Sequence, residues 1–297
     1  MHRRSFLALI VALAIAIPAS AFKPAPERSA ILISWDGAHR GQIRADLAKG
    51  QLPSLARLLK HGSLVDIDVV GHNTDTKAGH AQILTGYDPA VSGVYSNSQF
   101  APVPAGLSLF ERLQQAFGKP AIATIMLTAK EHNLGSKLPN EPYIFTRESL
   151  TVWDGDQGRA APLVGQKAVD YLKTFAPKGR FFLFIHFRDP DSAAHRNNEG
   201  SPEYIQAIRD CDRELGKILD AVNATGAADR TLVYVTSDHG FDLGKNQHIN
   251  APQSFLATND PDVKRNGQQR DIVPTVLSAL GVNLATIKPP LPGKPLK

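Results

Sequence analysis

A carboxylate next to an imidazole, with a second imidazole shortly after, is a ligand set for a divalent cation. Asp238, His239 and His248 have that form. One oxygen and two ring nitrogens suit zinc or a similar ion. The same residues have a plainer reading as a capping Asp and surface histidines, so the weight falls on whether distant segments supply matching groups. Two do. Asp36 follows the apolar run Ala30-Ile-Leu-Ile-Ser-Trp35, and Asp191-Ser-Ala-Ala-His195 follows Arg180-Phe-Phe-Leu-Phe-Ile-His186. The Asp191 to His195 spacing brings both side chains to one ion if that segment turns helically. Asp189 competes with Asp191 for the place, and the spacing to His195 favours Asp191. The hydroxyl of Thr76, just before the apolar-spaced run over 77–84, would favour the alkoxide if a dication coordinated it. Capping a helix is its other reading, and the two are compatible. If a helix begins just after it, free backbone N–H groups there face an incoming phosphate. His72, His80 and Asp242 have no role in this pattern.

The elements that must position these groups are legible from periodicity. Buried-type strands are expected over 30–35, 64–70, 121–126, 180–186 and 231–235, with a further short one beginning at Phe255 and Leu256. Helices are expected over 53–60, 77–84, 107–117, 163–175, 204–222 and 271–281, several with Pro in the first turn or Gly at the end. Strands alternating with helices imply one α/β domain with a mainly parallel sheet, and such sheets bind ligands at the carboxyl ends of their strands. Asp36, Asp191 and Asp238 all stand at or just past such ends. Residues 128–158 are polar and irregular and read as a lid over the site.

Composition narrows the classes. The chain has 297 residues, 42% hydrophobic and 21% charged, enough for one sizeable α/β core. The net charge of +5 is spread without basic blocks, so no specific nucleic-acid binding is expected. Cys211 is the single cysteine, which excludes an internal disulfide and a cysteine metal cluster. Residues 1–21 read as an export signal: His2-Arg3-Arg4, an apolar run over 6–17, then Ala19-Ser20-Ala21. Arg3-Arg4-Ser5-Phe6-Leu7 is similar to a twin-arginine motif, and the Sec route stays open. Periplasmic or secreted location, without stable membrane association after cleavage, is the expectation.

Taken together, Ile-Ser-Trp-Asp36-Gly, Thr76-Lys-Ala-Gly-His-Ala-Gln-Ile-Leu-Thr-Gly86, Asp191-Ser-Ala-Ala-His195 and Ser-Asp238-His239-Gly resemble the alkaline phosphatase superfamily. The nearest branch is that of type I phosphodiesterases and nucleotide pyrophosphatases, and the resemblance runs over 31–281, including the closing helix over 271–281. It implies a single alkaline-phosphatase-like α/β domain over 22–297, a mainly parallel sheet flanked by helices. It also implies that Asp36, Asp238 and His239 hold one metal, with Thr76 bridging toward it as nucleophile. Asp191, His195 and His248 would hold the other. The setting of His248 before Ala-Pro-Gln-Ser-Phe255 is closer to the phosphoglycerate mutase branch. Asn97 matches an asparagine that binds a non-bridging phosphate oxygen in the diesterase branch; a turn asparagine is its other reading. Lys77, beside the nucleophile, offers charge to a substrate or is simply solvated.

The implied activity is two-metal hydrolysis of a small-molecule phosphoester, a phosphodiester or nucleotide pyrophosphate, through a phospho-threonine intermediate. Zinc is the first choice of metal, with manganese or calcium compatible. Phosphomonoesterase or phosphonate hydrolase activity are the alternatives within the superfamily. A sulfatase would need Cys or Ser at position 76 to make formylglycine, and a non-catalytic binding protein would have let the ligand set decay.

Overall fold

A computed structural model describes residues 27–297, so the export signal expected over 1–21 lies outside the described residues. Eight strands form one sheet: β1 (Ser29–Trp35), β2 (Ser63–Asp68), β3 (Ile122–Thr128), β4 (Val152–Gly155), β5 (Arg180–Phe187), β6 (Thr231–Thr236), β7 (Gln253–Thr258) and β8 (Gly267–Gln268). Their order is β4-β3-β5-β1-β6-β7-β2-β8. All pairs from β4 to β6 are parallel, and β7 alone runs antiparallel to both of its neighbours. The α-helices are α1 (Arg40–Ala48), α2 (Pro53–Leu58), α3 (Thr76–Thr85), α4 (Pro89–Ser92), α5 (Leu109–Phe117) and α6 (Glu131–Leu134). They continue with α7 (Ala161–Phe175), α8 (Asp189–Asn197), α9 (Pro202–Ala224) and α10 (Ile272–Ala279).

β1 lies at the centre because both of its faces are apolar. Ile31, Ile33 and Trp35 point to a core shared with α2, α7 and α9, while Ala30 and Leu32 point to one shared with α3, α5 and α10. That alternation lets helices cover the sheet on both sides, as a buried parallel strand requires. β1 registers with β5 through Ser34↔His186 and with β6 through Ser34↔Thr236, so three carboxyl ends finish level.

The expected strands and helices over 27–297 are present, with ends displaced by a few residues. Two differences matter. Residues 189–197 form a regular helix, α8, rather than a loop that turns helically. The stretch expected to be an irregular lid contains regular elements: it opens with α6 and ends in β4, which pairs with β3 as the sheet's edge. Val152-Trp-Asp-Gly155 is too short to show a period, so only the pairing reveals it as a strand. Among the described residues no helix is long and apolar enough to cross a membrane.

Candidate active site

The carboxyl ends of β1, β3, β5 and β6 converge on one point. Asp36 extends β1 by one step, its N–H donating to the Phe187 carbonyl at 2.9 Å. Gly37 then turns the chain at φ +70°, and its N–H donates to Asp238 Oδ1 at 3.1 Å. A Cβ there would sit 2.6 Å from the Phe241 ring, so the close approach of these segments needs glycine. On α8, Asp191 in the first turn and His195 one turn later share a face, with Asp191 Oδ1 3.2 Å from His195 Nε2. Asp189, the competitor, faces elsewhere and accepts the Ala161 N–H that starts α7.

The acidic and imidazole residues fall into two groups. Asp36, Asp238 and His239 are fully buried; in the second group Asp191 is also buried, His248 is half-buried and His195 is exposed. Within each group one candidate ligand atom per residue lies within 4.8 Å of the others. The three imidazoles share a device. Nδ1 of His239 lies 2.8 Å from the Gly240 carbonyl, that of His195 2.8 Å from the Asn246 carbonyl, and that of His248 2.6 Å from the Thr74 carbonyl. A carbonyl only accepts, so each Nδ1 carries a proton, and in the neutral ring Nε2 is then the nitrogen with the lone pair, the arrangement that second-shell partners give metal-bound histidines. His195 Nε2 and His248 Nε2 lie 3.2 Å apart, a distance at which two lone pairs repel unless a cation or a proton lies between them.

The fully buried group fits a cation on a second ground. Asp36 Oδ1, Asp238 Oδ2 and His239 Nε2 are all buried without a hydrogen-bond partner. Leaving three such atoms unsatisfied costs several kcal/mol in water-free surroundings, and a divalent ion removes that penalty. Carboxylate oxygen with imidazole nitrogen is a donor set that zinc accepts.

Lys130 stands between the groups. It follows β3 within two residues, and its Nζ lies 2.8 Å from Asp36 Oδ2, 2.6 Å from Asp191 Oδ2 and 3.3 Å from Thr76 Oγ1. Burial raises the Asp36 carboxyl's pKa, but the Lys130 ammonium and the His186 imidazole outweigh it and hold that pKa well below the usual value. Asp238 goes the other way, raised by burial and by the Asp36 charge. Burial and the neighbouring His239 hold His248 down to about 4, whereas the Asp191 carboxylate raises His195. Lys130 was absent from the sequence-derived set because it sits in the polar stretch read as lid. Its place just past a strand's carboxyl end was the available signal.

Thr76 opens α3, almost completely buried at the helix N-terminus. Asp75, not Thr76, is the N-cap residue. The Lys77 N–H is not free for a phosphate, because Asn97 Oδ1 accepts it at 2.9 Å. Asn97 Oδ1 also takes a bond from Asn133 Nδ2 of α6, so its oxygen is engaged and its amide N–H₂ is the part left to donate. Lys77 Nζ is drawn to the rim, 3.2 Å from the Asn97 carbonyl and 4.1 Å above the Phe100 ring. Residues without a role in the sequence now have one. Asp242 accepts the N–H groups of Ile249 and Asn250 and so shapes the loop bearing His248. His72 meets Gln269 Oε1, and Gln269 Nε2 donates to the Asp238 carbonyl. His80 Nδ1 lies 2.7 Å from the Thr76 carbonyl and 3.3 Å from Asp238 Oδ2.

A cavity of about 290 Å³ opens beside His195 and His248, lined also by Thr74, Asp75 and Ile249. A larger hollow of about 670 Å³ lies between α8 and α9. It sets Arg188 and Arg196 against Asp189, Glu203 and Asp210, so neither sign of charge prevails there.

Residues 30–290 match the family described as type I phosphodiesterase / nucleotide pyrophosphatase. The chain belongs to that family. Its fold is similar to that of a protein in the alkaline phosphatase superfamily from Vibrio parahaemolyticus, with a TM-score of 0.66 at 17% identity, covering 92% of this chain and 70% of that one. It is 31% identical over 150 residues to a 2,3-bisphosphoglycerate-independent phosphoglycerate mutase of Halobacterium salinarum, covering 46% of this chain and 28% of the mutase. It is 23% identical over 210 residues to ectonucleotide pyrophosphatase/phosphodiesterase family member 1 of Mus musculus, covering 66% of this chain and 22% of that protein. The matched region thus spans less than a third of either relative's length. Among solved structures, a 2-O GAG sulfatase superposes with a TM-score of 0.68 at 13% identity, covering 91% of this chain and 73% of that one, which speaks to the fold alone.

Proposed function

We propose that this member of the phosphodiesterase family hydrolyses phosphodiesters or nucleotide pyrophosphates at a two-metal centre, with Thr76 as nucleophile. One observation carries the reading. The buried Thr76 hydroxyl shares its ammonium neighbour, Lys130, with one carboxylate from each ligand group, Asp36 and Asp191. Divalent ions, when bound by Asp36, Asp238 and His239 and by Asp191, His195 and His248, supply Lewis-acid stabilisation and favour the alkoxide. Thr76 Oγ attacks phosphorus, the bond to the leaving alcohol or phosphate breaks, and water then cleaves the phospho-threonine to restore the hydroxyl. Lys130 holds positive charge at the attacking oxygen. The N–H₂ of Asn97 donates to a non-bridging oxygen.

Charge favours the diester. Asn97 is neutral, Lys77 is drawn to the Phe100 ring, and the Lys130 ammonium is already shared by two carboxylates. A dianionic monoester wants stronger uncompensated positive charge than this, whereas a diester carries one negative charge fewer. The sulfatase alternative is disfavoured by threonine at position 76.

The test compares kcat/KM for a bis-aryl phosphate, an aryl phosphate and an aryl sulfate on one metal-analysed preparation. The diester should lead, with about two equivalents of zinc or a similar ion bound, and Thr76→Ala should abolish turnover while keeping metal. A monoester preference above about tenfold, roughly 1.4 kcal/mol of transition-state stabilisation, would refute the diester assignment. Rapid sulfate hydrolysis would refute phosphorus as the target, and trace-level metal would refute the two-metal centre.

A further inference from the structure

β5 carries Phe182, Phe184 and His186 at alternate positions, so all three point to one face of the sheet. The first two pack into the apolar core, and the third, fully buried, breaks the pattern at the strand's carboxyl end. A buried imidazole there must satisfy both ring nitrogens, and its partners define its tautomer. The Ala129 backbone N–H points at Nδ1 from 3.3 Å, and Thr128 Oγ1 lies 3.4 Å away. A backbone N–H only donates, so Nδ1 is the acceptor and Nε2 carries the proton. Nε2 lies 2.9 Å from Asp36 Oδ2 and donates to it. The other oxygen, Asp36 Oδ1, is thereby left for the ligand cluster, 3.6 Å from His239 Nε2.

We propose that His186 is a positioning residue for the metal centre: through Nε2–H it fixes which Asp36 oxygen faces the cluster, and through Nδ1 it anchors the strand end that delivers Lys130. This inference rests on the two-metal reading of the site and deepens it. One ring thereby sets both members of the Asp36–Lys130 pair, which meet at 2.8 Å. A core histidine that merely satisfied its own hydrogen bonds would influence folding stability and nothing in the site.

Two substitutions in the metal-loaded protein separate these roles. His186→Phe continues the Phe182–Phe184 pattern and keeps the volume filled, but removes both bonds. His186→Gln can return an amide N–H to the Nε2 position. Ions retained against a graded chelator are counted for each variant. His186→Phe should bind one of the two ions at least tenfold more weakly and keep the other, and His186→Gln should recover most of the loss. Equal retention of both ions by wild type and a folded His186→Phe would overturn the inference and leave the proposed function standing. Wild type holding no ion would sink the parent reading and this one with it. A measurement on the unmutated protein guards against a variant that does not fold: ring ¹⁵N shifts should show His186 protonated at Nε2, and protonation at Nδ1 overturns the proposal.

Discussion

Lys130 has three oxygen neighbours within 3.3 Å, and two of them are carboxylates that the ligand groups also claim. An ammonium in that place performs two tasks. It keeps Asp36 and Asp191 ionised although they are buried, and it places charge beside the Thr76 hydroxyl, the proposed nucleophile. Replacement by Met keeps the side chain's length and removes the charge. Lys130→Met should lower kcat by about 10²–10³-fold, the size seen when one preorganised electrostatic group is lost from an active site. Steady-state kinetics on metal-loaded protein would measure it, and a kcat within about threefold of wild type would remove Lys130 from the chemistry. Asp189 and Asp191 illustrate the same scale: two residues apart, one caps α7 and the other faces Lys130, because a helix turns them about 200° from each other.

At the scale of elements, the site depends on how closely α3 approaches the end of β6. Gly79 lies in the middle of α3, and a Cβ there would meet the Asp238 carbonyl oxygen at 2.5 Å. Intrinsic propensity argues for alanine in a helix interior, by about 1 kcal/mol. The contact reverses the sign, since backbone cannot give way as a flexible side chain does. Gly79→Ala should therefore destabilise by about 1–3 kcal/mol and loosen metal held on the Asp238 side. Urea denaturation and metal analysis of the same preparation would check both; an unchanged or raised denaturation midpoint would show that α3 has room to move. α8 acts differently. Its first turn presents Asp191 and its next presents His195, so one short helix supplies two groups to one cluster.

For the whole molecule, the edge formed by β4 ties residues 128–158 to the body of the sheet. Asp154 of β4 accepts from the Tyr171 hydroxyl at 2.7 Å and from Arg159 at 2.8 Å. Burial raises the Asp154 pKa, but Tyr171 and Arg159 outweigh burial and hold it below its usual value. A carboxyl depressed in the native state stabilises fully above the unfolded pKa of about 4, and loses that contribution as pH falls through the lower native value. Asp154→Asn should thus be less stable than wild type at neutral pH, and the gap should narrow below about pH 4. Urea midpoints from pH 2 to 7 would measure the difference; a gap independent of pH would contradict it. The sequence alone determined the alternation of strands and helices, the buried character of β1, β5 and β6, and the presence of acids and imidazoles at their ends. Those features are local, because periodicity reports burial and a strand's end is marked by its own residues. Only the tertiary structure decided that β5, β1 and β6 lie side by side, that Asp36 joins Asp238 and His239, and that Lys130 and His186 belong to the site. Those relations arise from parallel pairings between segments about 60–200 residues apart, and no local pattern encodes which strand a given strand will meet.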